Sequence, residues 1–166
     1  YAYASDLVQG LLEKHPFELF VAAYPETHPQ AVSEDADLEN LKRKVDAGGH
    51  RAITQFFFDN EIFLRFRDRV AAAQIDVELI PGILPVTNFN TLVRFAGACG
   101  ASIPQSLSTL FEGLDEDQTT RQLIAAHVAV SQAENLGQEG VEDFHFYTLN
   151  RADLSFAVCH ALGVRG

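Results

Sequence analysis

SEDADLENLKRKVDAGGHRAITQFFF, residues 33–58, spells out a complete helix and the strand that follows it. Ser33 is placed to cap the helix, Glu34, Asp35 and Asp37 fill its first turns, and Lys42 to Lys44 lie towards its end. Gly48-Gly49 stops it, so both the capping and the macrodipole preferences are met. Within 35–47, Leu38, Leu41 and Val45 form an apolar stripe, while Asp37, Asn40 and Lys44 form a second stripe roughly 110° round the axis. RAITQFFF (51–58) then reads as a strand broken by one amide, Gln55. Burying an amide without a partner costs roughly 1–3 kcal/mol. Near the end of its strand, Gln55 can meet either a ligand or a backbone carbonyl of a neighbouring loop.

The same alternation extends in both directions. Ser5 is positioned to cap a helix running to about Lys14, and ELFVAAY (18–24) follows as a strand. DNEIFLRFRDRVAAA (59–73) is a helix burying Ile62, Phe63, Phe66 and Val70. DVELIPGILP (76–85) reads as strand then loop, and NFNTLVRFAGAC (88–99) as a helix with Phe89, Leu92, Val93, Ala96 and Cys99 inward. Helical stretches at about 104–112 and 116–136 precede a last strand, DFHFYT (143–148), and a helix capped by Asn150 that ends near Leu162. Four strands, each followed by a helix, imply parallel strands joined by right-handed crossovers in one α/β domain spanning 1–166.

Periodicity alone fits a doubly wound sheet and a barrel equally. The unusual residues gather just after strand ends: YPETH (24–28), Gln55, PGILP (81–85) and YTLNR (147–151). That rim is where a (β/α)8 TIM barrel builds its sites, although open α/β sheets use the same edge.

Composition removes several classes. A formal charge of −11 argues against nucleic acid, whose phosphates need basic surface. No apolar run is long enough for a membrane span. Cys99 and Cys159 make neither a disulfide framework nor a zinc pattern, which suits reduced thiols in the cytoplasm. The six histidines lack metal-ligand spacing, and Cys159 and His160 point about 100° apart on a helix, so they form no dyad. Glu78 is expected in a structural ion pair. The chain has no methionine and opens directly into a helix, which suggests a piece of something longer.

VAAYPETHPQA, DLENLKRKVDAGGHRAITQFFFD, IDVELIPGILPVTNF and VEDFHFYTLNRADLSFAVCHALGVR resemble the second half of methylenetetrahydrofolate reductase. The resemblance implies a (β/α)8 barrel of which this chain supplies about four C-terminal β/α units. It further implies non-covalent FAD and reduction of 5,10-methylenetetrahydrofolate to 5-methyltetrahydrofolate by NADH or NADPH, in one-carbon metabolism and methionine biosynthesis. The family's catalytic glutamate would lie N-terminal to these residues, so no catalytic residue is expected here. The expected partners are the folate substrate, the N-terminal half of the same barrel, and further copies in a homo-oligomer. The competing expectation is a non-catalytic half-barrel that self-associates or binds ligand weakly.

Residue by residue, the resemblance puts Tyr3, Ala4, Tyr24, His28, Asp37, Asn40, Arg43 and Lys44 on FAD. Cations suit a diphosphate, and a carboxylate and an amide suit ribose and adenine. Without it, the stripe on 35–47 would be a solvated face and His28 a surface histidine. Gln55, Thr91, Phe95 and Arg151 are implied on the substrate side. An amide serves a pterin or a carboxamide, an aromatic stacks, and a guanidinium suits a carbonyl-rich or anionic ligand. Thr91 departs from the glutamine of close bacterial relatives, and a hydroxyl reaches less far. The plainer roles for Phe95 and Arg151 are loop packing and a surface ion pair.

Overall fold

The computed structural model describes residues 1–165. Its order is α1 (Ala4–Leu12), β1 (Phe20–Ala23), α2 (Glu34–Asp46), β2 (Arg51–Thr54), α3 (Asn60–Ala72), β3 (Glu78–Ile80) and β4 (Gly82–Ile83). Then come α4 (Phe89–Cys99), α5 (Gln105–Phe111), α6 (Gln118–Gln138), β5 (His145–Phe146) and α7 (Ala152–Ala161). All strand pairs are parallel, in two sheets: β1-β2-β3, with Phe20 opposite Arg51 and Arg51 opposite Glu78, and β4-β5, with Gly82 opposite His145.

Helix α2 follows its sequence: the Ser33 hydroxyl accepts from the Ala36 N–H, Leu41 is buried, and Leu38 and Val45 pack beside it. Other boundaries move. The cap of α1 is Tyr3, not Ser5, because the Asp6 carboxylate accepts the N–H groups of Ala2 and Tyr3 and fixes the start earlier. The cap of α7 is Arg151, not Asn150. Leu149 and Asn150 instead take left-handed conformations, φ 48° and 60°, that turn the chain before the helix. Val93 faces outward at 47% exposure, whereas Leu92 and Ala96 carry the inner face of α4.

The segment 76–85, expected as strand then loop, instead forms two short strands, β3 and β4, divided at Pro81. Pro81 has no N–H to give, and beyond it the chain leaves β2 and pairs with β5 instead. Buried Thr54 bridges the seam: its Oγ1 accepts the Gly82 N–H at 2.9 Å and its carbonyl accepts the Tyr147 hydroxyl at 3.0 Å. Only glycine fits opposite it, because a Cβ at 82 would lie 2.2 Å from the Thr54 oxygen. The cores follow the sheets. Val21, Leu41, Ala52 and Phe66 fill the space beneath β1 and β2, and Phe56, Leu84, Leu92 and Phe111 fill the space under α4 to α6. Gln132, a polar residue on the inner face of α6, is satisfied by donating to the Phe57 carbonyl at 2.9 Å.

Candidate functional site

Strand β1 ends at Ala23, and the loop that follows turns back over its end to reach α2. Between that loop, α2 and the start of α1 lies a cleft of about 480 Å³. All eight residues expected on the cofactor line it: Tyr3, Ala4, Tyr24, His28, Asp37, Asn40, Arg43 and Lys44. The i, i+3, i+7 spacing of Asp37, Asn40 and Lys44 brings three of them to one helix face. Ser5, Ala22, Gln30 and Ala31 also contribute to the wall. Sequence reasoning missed these four, and small or uncharged residues beside a cleft carry little signal by which to find them.

Asp37 is the organising charge. One of its carboxylate oxygens accepts the His28 N–H at 2.8 Å, which pins the loop to α2. The Gln30 N–H donates to His28 Nδ1 at 3.1 Å, so a neutral His28 carries its proton on Nε2, the nitrogen left to donate. The Tyr24 ring stands edge-on to His28 at 4.5 Å. Burial raises the Tyr24 phenol above its ordinary 10.0, with Asp37 and Cys99 adding to the effect. Lys44 donates from Nζ to the Ala22 carbonyl. Burial lowers its ammonium below 10.5, and nearby Asp37 partly opposes the shift. Arg43 is more exposed and pairs with Glu39 at 3.5 Å.

Gln55 lies one residue beyond the end of β2, in a crevice that it shares with Tyr24, Glu26, Phe56 and Cys99. Tyr24 therefore borders both spaces. The Gln55 Oε1 accepts the Phe56 N–H at 3.0 Å, a partner neither a ligand nor a neighbouring loop. Its backbone N–H continues the pairing by donating to the Ala23 carbonyl at 2.8 Å. Beside it, Phe56 stacks on Phe95 at 6.1 Å and meets Tyr147 edge-on at 6.1 Å. Phe95 stays 45% exposed, so one of its faces is open. Thr91, exposed one turn earlier on α4, lies on the same side of the helix. Arg151 stands exposed at the start of α7, and no hydrogen bond or ion pair among the described residues joins its guanidinium to the others. The structure thus brings the eight residues expected on the cofactor to one cleft and sets Gln55 and Phe56 next to it, with Phe95 stacked on Phe56 and Arg151 exposed at the start of α7.

Among the described residues, no three His, Cys, Asp or Glu side chains gather to hold a metal, and no helix is long and apolar enough to cross a membrane. Both cysteines are free. Glu78 forms the structural ion pair expected of it, 3.0 Å from Arg51.

Parallel strands alternating with helices, with a cleft lined by charged, polar and apolar residues at a strand's C-terminal end, define an α/β fold of the kind that uses this edge for ligands. A profile of the methylenetetrahydrofolate reductase family matches residues 1–163, and 5,10-methylenetetrahydrofolate reductases of Salmonella typhimurium and Escherichia coli are each 60% identical over 98% of the chain. The chain belongs to the methylenetetrahydrofolate reductase family. It spans 55% of the length of those two relatives. "Methylenetetrahydrofolate reductase (NADH) 1" of Arabidopsis thaliana is 32% identical over 99% of the chain, which covers 30% of it. Among solved structures, a Clostridium thermocellum protein titled as binding two copies of 5-methyl-5,6,7,8-tetrahydrofolic acid shares the fold. Its TM-score is 0.60 at 17% identity, covering 95% of this chain and 57% of that one.

Proposed function

We propose that these residues form the C-terminal half of a (β/α)8 barrel that reduces 5,10-methylenetetrahydrofolate to 5-methyltetrahydrofolate, with FAD as cofactor and NADH or NADPH as reductant. The observation that carries this reading is the convergence of eight residues, from Tyr3 to Lys44, on one cleft. Their donors fit the group. Arg43 and half-buried Lys44 neutralise a diphosphate, the His28 Nε2–H donates to a phosphate or ribose oxygen, and Asp37 and Asn40 receive hydroxyl or adenine donors.

Bound there, FAD supplies the hydride chemistry, and the protein supplies grip and orientation. Gln55 offers one amide that both donates and accepts, which suits a pterin and a nicotinamide carboxamide in turn. The open face of Phe95, backed by Phe56, gives either ring a stacking surface. Thr91 and Arg151 meet the outer part of the folate. Glu26, the one carboxylate lining the Gln55 crevice, accepts the Ser102 N–H, and the proton donor is the glutamate that the family resemblance implies N-terminal to these residues. On this reading the complete protein is a cytoplasmic homo-oligomer serving methionine biosynthesis.

The test is a spectrum and two half-reactions on the full-length protein. A flavin band that NADH or NADPH bleaches and 5,10-methylenetetrahydrofolate restores supports the proposal. Protein that neither retains nor binds added FAD refutes it. A second reading rests on β1, whose outer edge is unpaired and whose Phe20 is 45% exposed. These residues alone would self-associate without turnover. Colourless oligomers of the 166-residue chain, beside an active full-length protein, separate the two.

A further inference from the structure

The loop from Tyr24 to Gln30 touches both working surfaces. On one side it carries Tyr24 and His28 into the cleft, and on the other its Pro25, Glu26 and Thr27 line the Gln55 crevice. Within it Thr27 has φ +94°, a region that a β-branched residue enters only when its surroundings hold it there. Three contacts do the holding. Asp37 takes the His28 N–H on the α2 side. On the α4 side, both oxygens of Glu26 lie 3.0 Å from the Ser102 nitrogen and share its N–H. Beside that bond, Gly100 ends α4 in the left-handed conformation, φ +73°, where a Cβ would come within 3.2 Å of the Thr27 carbonyl and of the Pro29 ring.

A continuous path therefore runs from the helix bearing Thr91 and Phe95, through Gly100 and Ser102, to Glu26, across the strained loop to His28, and on to Asp37. We propose that Glu26 is a positioning residue that fastens α4 to the loop, so that the surface for folate or nicotinamide and the cleft for flavin keep one spacing. The fastening is read from these contacts alone, while its bearing on two ligand surfaces rests on the function proposed above. A charge-bearing acceptor suits the task, since a carboxylate binds an N–H more strongly than a neutral oxygen does.

The test uses the full-length protein and the variants Glu26→Ala, Glu26→Gln and Gly100→Ala. Without ligand, Glu26→Ala speeds amide hydrogen exchange at Ser102 and, across the loop, at His28 by about tenfold, while Ala52 and Ile53 in β2 stay as protected as before. Glu26→Gln, which keeps one acceptor oxygen, restores most of the protection. Gly100→Ala reproduces the pattern from the other side of the contact. In the same variants the Kd for FAD rises about fivefold or more, and the KM for folate rises more than kcat falls. Faster exchange at Ser102 alone, with His28 and the FAD Kd unchanged, overturns the proposal. So does faster exchange throughout β2, which would make Glu26 a general stabilising residue. Should the unaltered protein bind no FAD, the proposed function fails, and the exchange pattern still decides whether the fastening exists.

Discussion

Strand β2 begins at Arg51 and Gln55 follows its end, and these two polar side chains are used in opposite ways. Arg51 is turned towards protein partners: Glu78 lies at 3.0 Å, Glu18 and Asp143 at 3.8 Å, and its guanidinium sits 5.7 Å from the centre of the Phe20 ring. That one side chain ties together the approaches to β1, β3 and β5. At the other end, the groups around Gln55 hold one another by single bonds and leave donors over, among them His28 Nε2 and part of the Lys44 ammonium. The Arg51 end of the strand spends its charge on protein partners, and the Gln55 end keeps donors free for a ligand. On the half-barrel reading proposed above, the two ends of this strand correspond to the stabilising face and the working face of an α/β barrel.

This contrast can be broken at its shared support or tested at each edge alone. Gly82→Ala should have the largest effect, because the new Cβ meets the Thr54 backbone and forces the seam apart. A loss of about 3 kcal/mol in urea unfolding is expected, with both edges damaged. Lys44→Met should divide the two properties: FAD affinity falls about tenfold or more, while stability at neutral pH holds or rises as a desolvated charge disappears.

The pH dependence of the unaltered protein sharpens the same point. Folded Lys44 binds its proton less tightly than it does in the unfolded chain. Between the lowered value and 10.5 the unfolded state therefore holds more protons, and this residue makes stability rise with pH across that window. FAD affinity falls over the same window as the ammonium is lost. Parallel unfolding and FAD titrations, with Lys44→Met as reference, should show the opposed trends; trends in the same direction would remove Lys44 from the cleft's cation pair.

Ser33→Ala should cost about 1 kcal/mol through loss of the α2 cap, and should loosen FAD slightly because α2 carries four of the cleft side chains. Smallest of all, Arg51→Met should cost at most about 1 kcal/mol, since the ion pairs are partly exposed. The loss should shrink in high salt, and FAD binding should not change.

Legibility in the sequence followed the range of the forces involved. Helix α2 could be read closely because its cap, charges and stop are all local, and the same helix carries half of the cofactor set. Strand ends could not. FFF at 56–58 is apolar enough to continue β2, yet the strand ends at Thr54: the Gln55 N–H makes one more bond across to Ala23, and the Phe56 N–H then turns to the Gln55 Oε1. The phenylalanines remain inside by packing instead: Phe57 stacks on Phe63 and Phe56 on Phe95. The division at Pro81 depends on which strand lies across from it, a fact written about sixty residues away in DFHFYT. Glu26 carried no signal either, since its partner is a backbone N–H 76 residues further along.

Thr54 leaves the molecule with a corner stitched by side chains where a flat sheet would use its ladder. Its hydroxyl and carbonyl are the hinge pin between two leaves, one built on β1 to β3 and the other on β4 and β5. Swapping Thr54 for the same-shaped valine would remove the stitch to Gly82 and keep the main-chain stitch to Tyr147, so the two leaves would be held at the corner by one bond instead of two.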